Sequence, residues 1–139
     1  MKLNVRLLRE HFQSLRPQGD AMVDQFYSLL FSRHPEIRAM FAKTDMEAQR
    51  KKFFDTLDEI VRHLEQPDRT LSDLLLLGNS HVDYGVKPEQ YAIVCECLLE
   101  AMKRSSGKTW TADLEAAWRD AYATVADIMK KGSALRRRP

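Results

Sequence analysis

The chain has 139 residues, 44% of them hydrophobic and 30% charged, with 22 Lys and Arg against 20 Asp and Glu for a net charge of +2. A chain of this length buries roughly two thirds of the surface its unfolded form exposes, enough for one continuous core, which excludes a two-domain enzyme. Five Gly and five Pro argue against collagen-like, low-complexity and turn-dense all-β classes, and the near balance of charge argues against a dedicated nucleic-acid binder, whose phosphate contacts need a concentrated basic face.

Apolar residues recur at three and four, so helices are expected almost throughout. Val5, Leu8, Phe12 and Leu15 mark a first helix closed by Pro17 and Gly19. Asp20 is the expected N-cap of a second, with Val23, Phe26 and Leu30 as its buried stripe and Tyr27 one step aside. Pro35 starts a short helix that ends at Phe41. Thr44-x-x-Glu47 has the pattern of a capping box and opens a long helix carrying Met46, Gln49, Phe53, Leu57, Ile60 and Leu64 on one side. Leu71, Leu74, Leu77 and His81 share a face of another helix, ended by Gly85 to Pro88. Tyr91, Val94, Cys95, Leu98 and Met102 face inward on the next. Ser105, Ser106 and Gly107 form a loop, and Thr111 caps a last helix through Leu114, Trp118, Ala121, Val125 and Ile128. The expectation is about seven helices and no strand.

Cys95 and Cys97 lie two apart, about 200° around a helix, so they cannot pair with each other and read as packing residues. No apolar stretch approaches the length of a membrane span and Met1 opens no secretory leader, so a reducing cytoplasm is expected.

Phosphate loops, zinc-type Cys/His spacing, C-x-x-C-H haem attachment and GxSxG elbows are all missing from the sequence. The four histidines are not equivalent. His34 and His63 read as solvated, and His11 borders Leu7, Leu8 and Leu15 with no partner ligand at helical spacing. His81 puts an imidazole on the stripe of Leu74 and Leu77, where it needs a partner. That partner is either a hydrogen-bonding group or a metal whose other ligands are not protein. Gln49 heads an apolar stripe, and Tyr27 is an aromatic with its hydroxyl at the edge of the core.

Read in order, these features resemble the globin fold. The run His34-Pro35-Glu36, Phe41 and Gln49 carry the first part of the match. His81, Val86-Lys87-Pro88-Glu89-Gln90-Tyr91, Ile93-Val94, Leu98-Leu99, and Trp118 with Tyr122 resemble the haem domain of bacterial flavohaemoglobins and their single-domain relatives. The resemblance runs from Leu8 to Met129. It implies an all-α, 3-on-3 helical sandwich around a haem pocket, with residues 1–132 as the haem-binding domain; residues 133–139, with Arg136 to Arg138, read from the sequence itself as a flexible basic tail.

The resemblance also implies roles. His81 is the proximal ligand of a non-covalent b-type haem iron, its other ring nitrogen donating to the carbonyl near Leu77 or to Ser80. Phe41 packs on the porphyrin, Phe53, Leu57, Val86, Val94 and Leu98 line the pocket, and Lys52 reaches a haem propionate. Tyr27 and Gln49 face the sixth position and offer the hydrogen bonds that dioxygen needs, which carbon monoxide would gain from far less.

Three departures stand out. Ser133 occupies the position where the family has a glutamate that, with Tyr91, buttresses the proximal histidine. Phe53 stands where relatives often have Leu. The flavin and nicotinamide domains are not in the chain, so turnover would need an external reductase. The functions implied are reversible oxygen binding for storage, transport or scavenging, a nitric oxide dioxygenase, or a sensor of oxygen or NO. A haemless globin fold with His81 merely hydrogen-bonded is the bland alternative.

Overall fold

A computed structural model describes residues 4–62, 64, 87 and 89–137, with side chains to Lys131. Six α-helices make up this part of the chain: α1 Val5–Leu15, α2 Gly19–Arg33, α3 Pro35–Met40, α4 Met46–Arg62, α5 Gln90–Ser106 and α6 Ala112–Arg137. Short 3-10 turns, Arg16–Gln18 and Gly107–Thr109, join α1 to α2 and α5 to α6. No strand occurs among the described residues, as the periodicity predicts. The expected helix through Leu71 and His81 lies outside them.

The helix ends follow local chemistry, and several differ from expectation. α1 ends at Leu15, just before Pro17 as expected, and the chain passes through a 3-10 turn straight into α2. Pro17 sits in the first turn of the 3-10 segment, where its missing N–H leaves nothing unsatisfied, and Gly19 opens α2 at φ −57°, ψ −45°. Asp20 therefore lies inside the first turn of α2, where a carboxylate favours the positive helix end. The cap of α4 is Asp45 rather than Thr44: its Oδ1 accepts from the backbone N–H of Glu47 at 3.1 Å and of Ala48 at 3.3 Å. Ser105 and Ser106 belong to α5, and Gly107, at φ +57°, makes the left-handed turn after it. Thr111 caps α6 as expected, its Oγ1 accepting from Leu114 N at 3.1 Å.

The core forms where α2 packs along α5, its most extensive partner. Met22, Val23, Phe26 and Leu30 of α2 and Cys97, Leu98, Ala101 and Met102 of α5 are all buried, together with Leu8, Phe12 and Leu15 of α1 and Leu114, Trp118 and Ala121 of α6. Each large side chain so buried contributes roughly 1.5 to 3 kcal/mol by removal from water. A seam of charge closes α1 against α4. Arg16 and Arg62 both hold Asp58, and Arg9 Nη2 donates to the Arg62 carbonyl at 2.8 Å, at the C-terminal end of α4. Burial raises the Asp58 carboxyl, but hydrogen bonds and charge from Arg16 and Arg62 outweigh it and leave the group below its ordinary range.

Candidate functional site

Aromatic rings from three helices surround Tyr27. On α2, Phe26 and Phe31 lie 4.9 and 5.6 Å from its ring, ring centre to ring centre. Phe41, which closes α3, lies at 5.9 Å and Phe53 of α4 at 5.7 Å. Phe53 also stacks nearly parallel on Phe26, at 4.7 Å and 9°, fixing the ring that walls this side. Tyr27 is 5% exposed, so its hydroxyl needs a partner. Gln49 supplies it: the amide Nε2 donates to Tyr27 Oη at 3.1 Å.

Local structure explains how Gln49 comes to that place. Asp45 starts α4, Gln49 N donates to the Asp45 carbonyl at 2.9 Å, and Gln49 thus falls one turn in, on the side that carries Phe53 and Leu57. Arg50 Nη1 lies 3.9 Å from Asp24 Oδ1, a second polar link between α4 and α2 beside the pair. Burial pushes the Tyr27 phenol above its ordinary value, against the opposing hydrogen bond from Gln49 and the charge of Arg50. The phenol therefore keeps its proton at neutral pH and remains a donor.

Tyr27, Phe41, Gln49 and Phe53 are thus brought together. Leu57 and Val94, half-buried, pack with buried Leu98 into the same core cluster. Lys52 is exposed on α4. Tyr91 is buried in a separate cluster with Ala126 and Met129, where its carbonyl accepts from the Tyr122 hydroxyl at 2.5 Å and Lys130 Nζ lies 5.9 Å from its ring centre. Leu77, Ser80, His81 and Val86 lie outside the described residues. Phe26 is expected only as part of the general core, and Phe31 is a wall of this site outside the expected residues. The signal was present, since Phe31 stands one helical turn after Tyr27.

The remaining candidate chemistry is quiet. Cys95 and Cys97 are free thiols. Burial, then the charge of Glu96, pushes the Cys95 thiol up to about 11, the opposite of a reactive thiolate. Among the described residues no group of three or more His, Cys, Asp or Glu is placed to hold a metal ion, and no helix is long and apolar enough to cross a membrane.

Comparison with known proteins gives one consistent result. The model of the globin family matches residues 24–129. Flavohaemoproteins of Oceanobacillus iheyensis and Rhizobium meliloti are each 32% identical, over 92% and 83% of this chain respectively. The chain spans about 30% of the length of these relatives. Among solved structures it is similar to an engineered carbene transferase made from a Rhodothermus marinus protein assigned as a nitric oxide dioxygenase. That match has a TM-score of 0.84 and 29% identity, covering 94% of this chain and 91% of the other. A bacterial globin from Campylobacter jejuni has the same fold, with a TM-score of 0.82 at 24% identity and 94% of each chain covered.

Proposed function

This chain belongs to the globin family, and from that premise we propose that it is a haem protein that binds dioxygen reversibly, with Tyr27 and Gln49 as the distal hydrogen-bonding pair and His81 as the protein ligand of the iron. When bound, a non-covalent b-type haem supplies a ferrous iron able to take a small gas on one face. The described residues fit such a group on its distal side. They offer half-buried apolar rings at Phe41 and Phe53 beside the protonated Tyr27 hydroxyl, with half-buried Leu57 and Val94 packed on the same core cluster.

The observation that carries the reading is the polarity of the bond between Gln49 and Tyr27. The amide donates and the hydroxyl oxygen accepts, so the single phenolic proton is directed elsewhere than into that bond. A partly negative gas is the acceptor such a proton suits, and the aromatic enclosure that excludes water strengthens the bond. One such bond contributes roughly 1 to 3 kcal/mol, which slows dioxygen release about ten- to a hundredfold. His81 with Leu77 and Ser80 behind it, Val86 and Leu98 in the wall, Tyr91 behind the histidine and Lys52 at a propionate complete the assignment.

The test is spectroscopic and kinetic. The protein as ferric, reduced, dioxygen-exposed and CO-exposed forms is expected to show a Soret band that shifts with each gas, and His81→Ala to lose the haem or hold it loosely. Tyr27→Phe is expected to speed dioxygen release by one to two orders of magnitude, with CO release nearly unchanged. No Soret band after reconstitution with hemin would refute the assignment.

A second reading, a nitric oxide dioxygenase that converts NO and dioxygen to nitrate, is favoured by the flavohaemoprotein relatives and by the Rhodothermus marinus structure. Tyr27 and Gln49 would serve it in the same way, with electrons from an external reductase. Sustained NO consumption with an added reductase and nicotinamide donor separates it from simple carriage.

A further inference from the structure

We infer that His11 is an acid-released latch: its unprotonated Nδ1 holds the Trp118 indole of α6 against α1, and a proton on that atom breaks the bond. His11 is 6% exposed and is the one buried polar or charged side chain among the described residues. Trp118 Nε1 lies 2.8 Å from His11 Nδ1, and Ser106 Oγ lies 2.7 Å from His11 Nε2. An indole N–H only donates, so Nδ1 must present its lone pair. The neutral ring therefore carries its proton on Nε2 and donates it to Ser106. This tautomer is the reverse of the one that activates a serine, so the pair is no hydrolytic dyad.

One ring thus ties three parts of the fold together: α1, the end of α5 and the first half of α6. Trp110, in the turn between α5 and α6, meets the imidazole edge-on at 5.6 Å, and Trp118 does so at 5.9 Å. Several charged groups on these elements pair with one another. Glu115 accepts from Trp110 Nε1 and pairs with Arg119, Lys103 acts on Glu115, Arg104 pairs with Glu100, and on α1 Glu10 pairs with Arg6. None of them supplies an acceptor for a second imidazole proton in the described contacts. Burial alone lowers the His11 ring from 6.5 to about 4.

The sign follows from linkage. As pH falls below 6.5 the unfolded chain takes up the His11 proton first, so the stability due to the latch is complete above that pH and drains as pH falls toward about 4. By pH 5 the loss amounts to about thirtyfold in the folding equilibrium constant.

The experiment is urea unfolding of the full chain at pH 7.5 and pH 5.0, in the parent and in His11→Asn. The Asn side chain places an oxygen acceptor near the Nδ1 position but does not titrate. The parent is expected to lose about thirtyfold more of its folding equilibrium constant than the variant between the two pH values. Equal losses overturn the proposal. Should His11→Asn fail to fold, the parent's imidazole and Trp118 indole N–H signals are followed by NMR. A common step well below pH 6.5 supports the latch, and an imidazole that titrates near 6.5, or an indole signal that stays put, overturns it.

Discussion

In the proposed distal pair Tyr27 and Gln49 divide the task unequally, because the hydroxyl keeps its whole proton outside the bond between them while the amide spends one of its two N–H groups on setting where that hydroxyl points. Replacing Gln49 with Leu leaves the Tyr27 proton in place and removes the group that orients it. Stopped-flow measurement of dioxygen release should therefore show Gln49→Leu faster than the parent by roughly three- to tenfold, a smaller change than that of Tyr27→Phe, as befits the loss of one orienting hydrogen bond. Equal effects of the two variants would mean that both side chains reach the gas directly. The inward placement of each residue was legible from helical spacing, but their contact was not, since it joins residues 22 apart on two helices. His11 shows the same limit more sharply. Its partners Ser106 and Trp118 stand 95 and 107 residues away, so nothing at helical spacing could disclose why a histidine sits on the apolar face of α1.

At the scale of elements, the approach of α2 to α4 turns on Gly19. A Cβ built there would lie 2.6 Å from Phe54 Cε2 and 3.0 Å from Cζ. The Phe54 ring cannot simply swing aside, because it stacks on buried Phe12 at 5.4 Å and 22°. Gly19→Ala should accordingly destabilise the fold by about 1 to 3 kcal/mol, as overpacking does, despite the better helix propensity of alanine. Adding Phe54→Leu should recover part of that loss, and a double-mutant cycle by urea unfolding checks it. In sequence, Pro17 and Gly19 read as a helix stop, and α1 does end at Leu15, but the close approach of Gly19 to Phe54 joins residues 35 apart and was not legible there. Asp45 likewise displaced Thr44 as the cap of α4, because two adjacent capping residues compete and only the folded backbone decides between them. The helical class, the short α3 ending at Phe41 and the Thr111 cap were legible because each rests on chemistry within one turn.

For the molecule as a whole, haem would be part of the core rather than an addition to it. Tyr27, Phe31, Phe41 and Phe53 come from three helices and pack around one another, and Phe41, Phe53, Leu57 and Val94 are only half-buried. A flat apolar group laid against them would bury the rest and bind the folded chain alone. Ligand linkage then fixes the size of the effect: at free haem about a thousandfold above its dissociation constant, the folded state gains about 4 kcal/mol. In a domain of this size that corresponds to roughly 10 to 20 °C in melting temperature. Calorimetry of the haem-loaded chain, the haem-extracted chain and the same chain after hemin is restored should show a fall and a recovery of that order. His81→Ala should narrow the gap, since the walls would still bury the porphyrin but the iron would lose the protein ligand proposed for it. A melting temperature indifferent to hemin would mean that the aromatic cluster is a closed core in its own right, and that the Gln49 to Tyr27 bond only satisfies a buried hydroxyl.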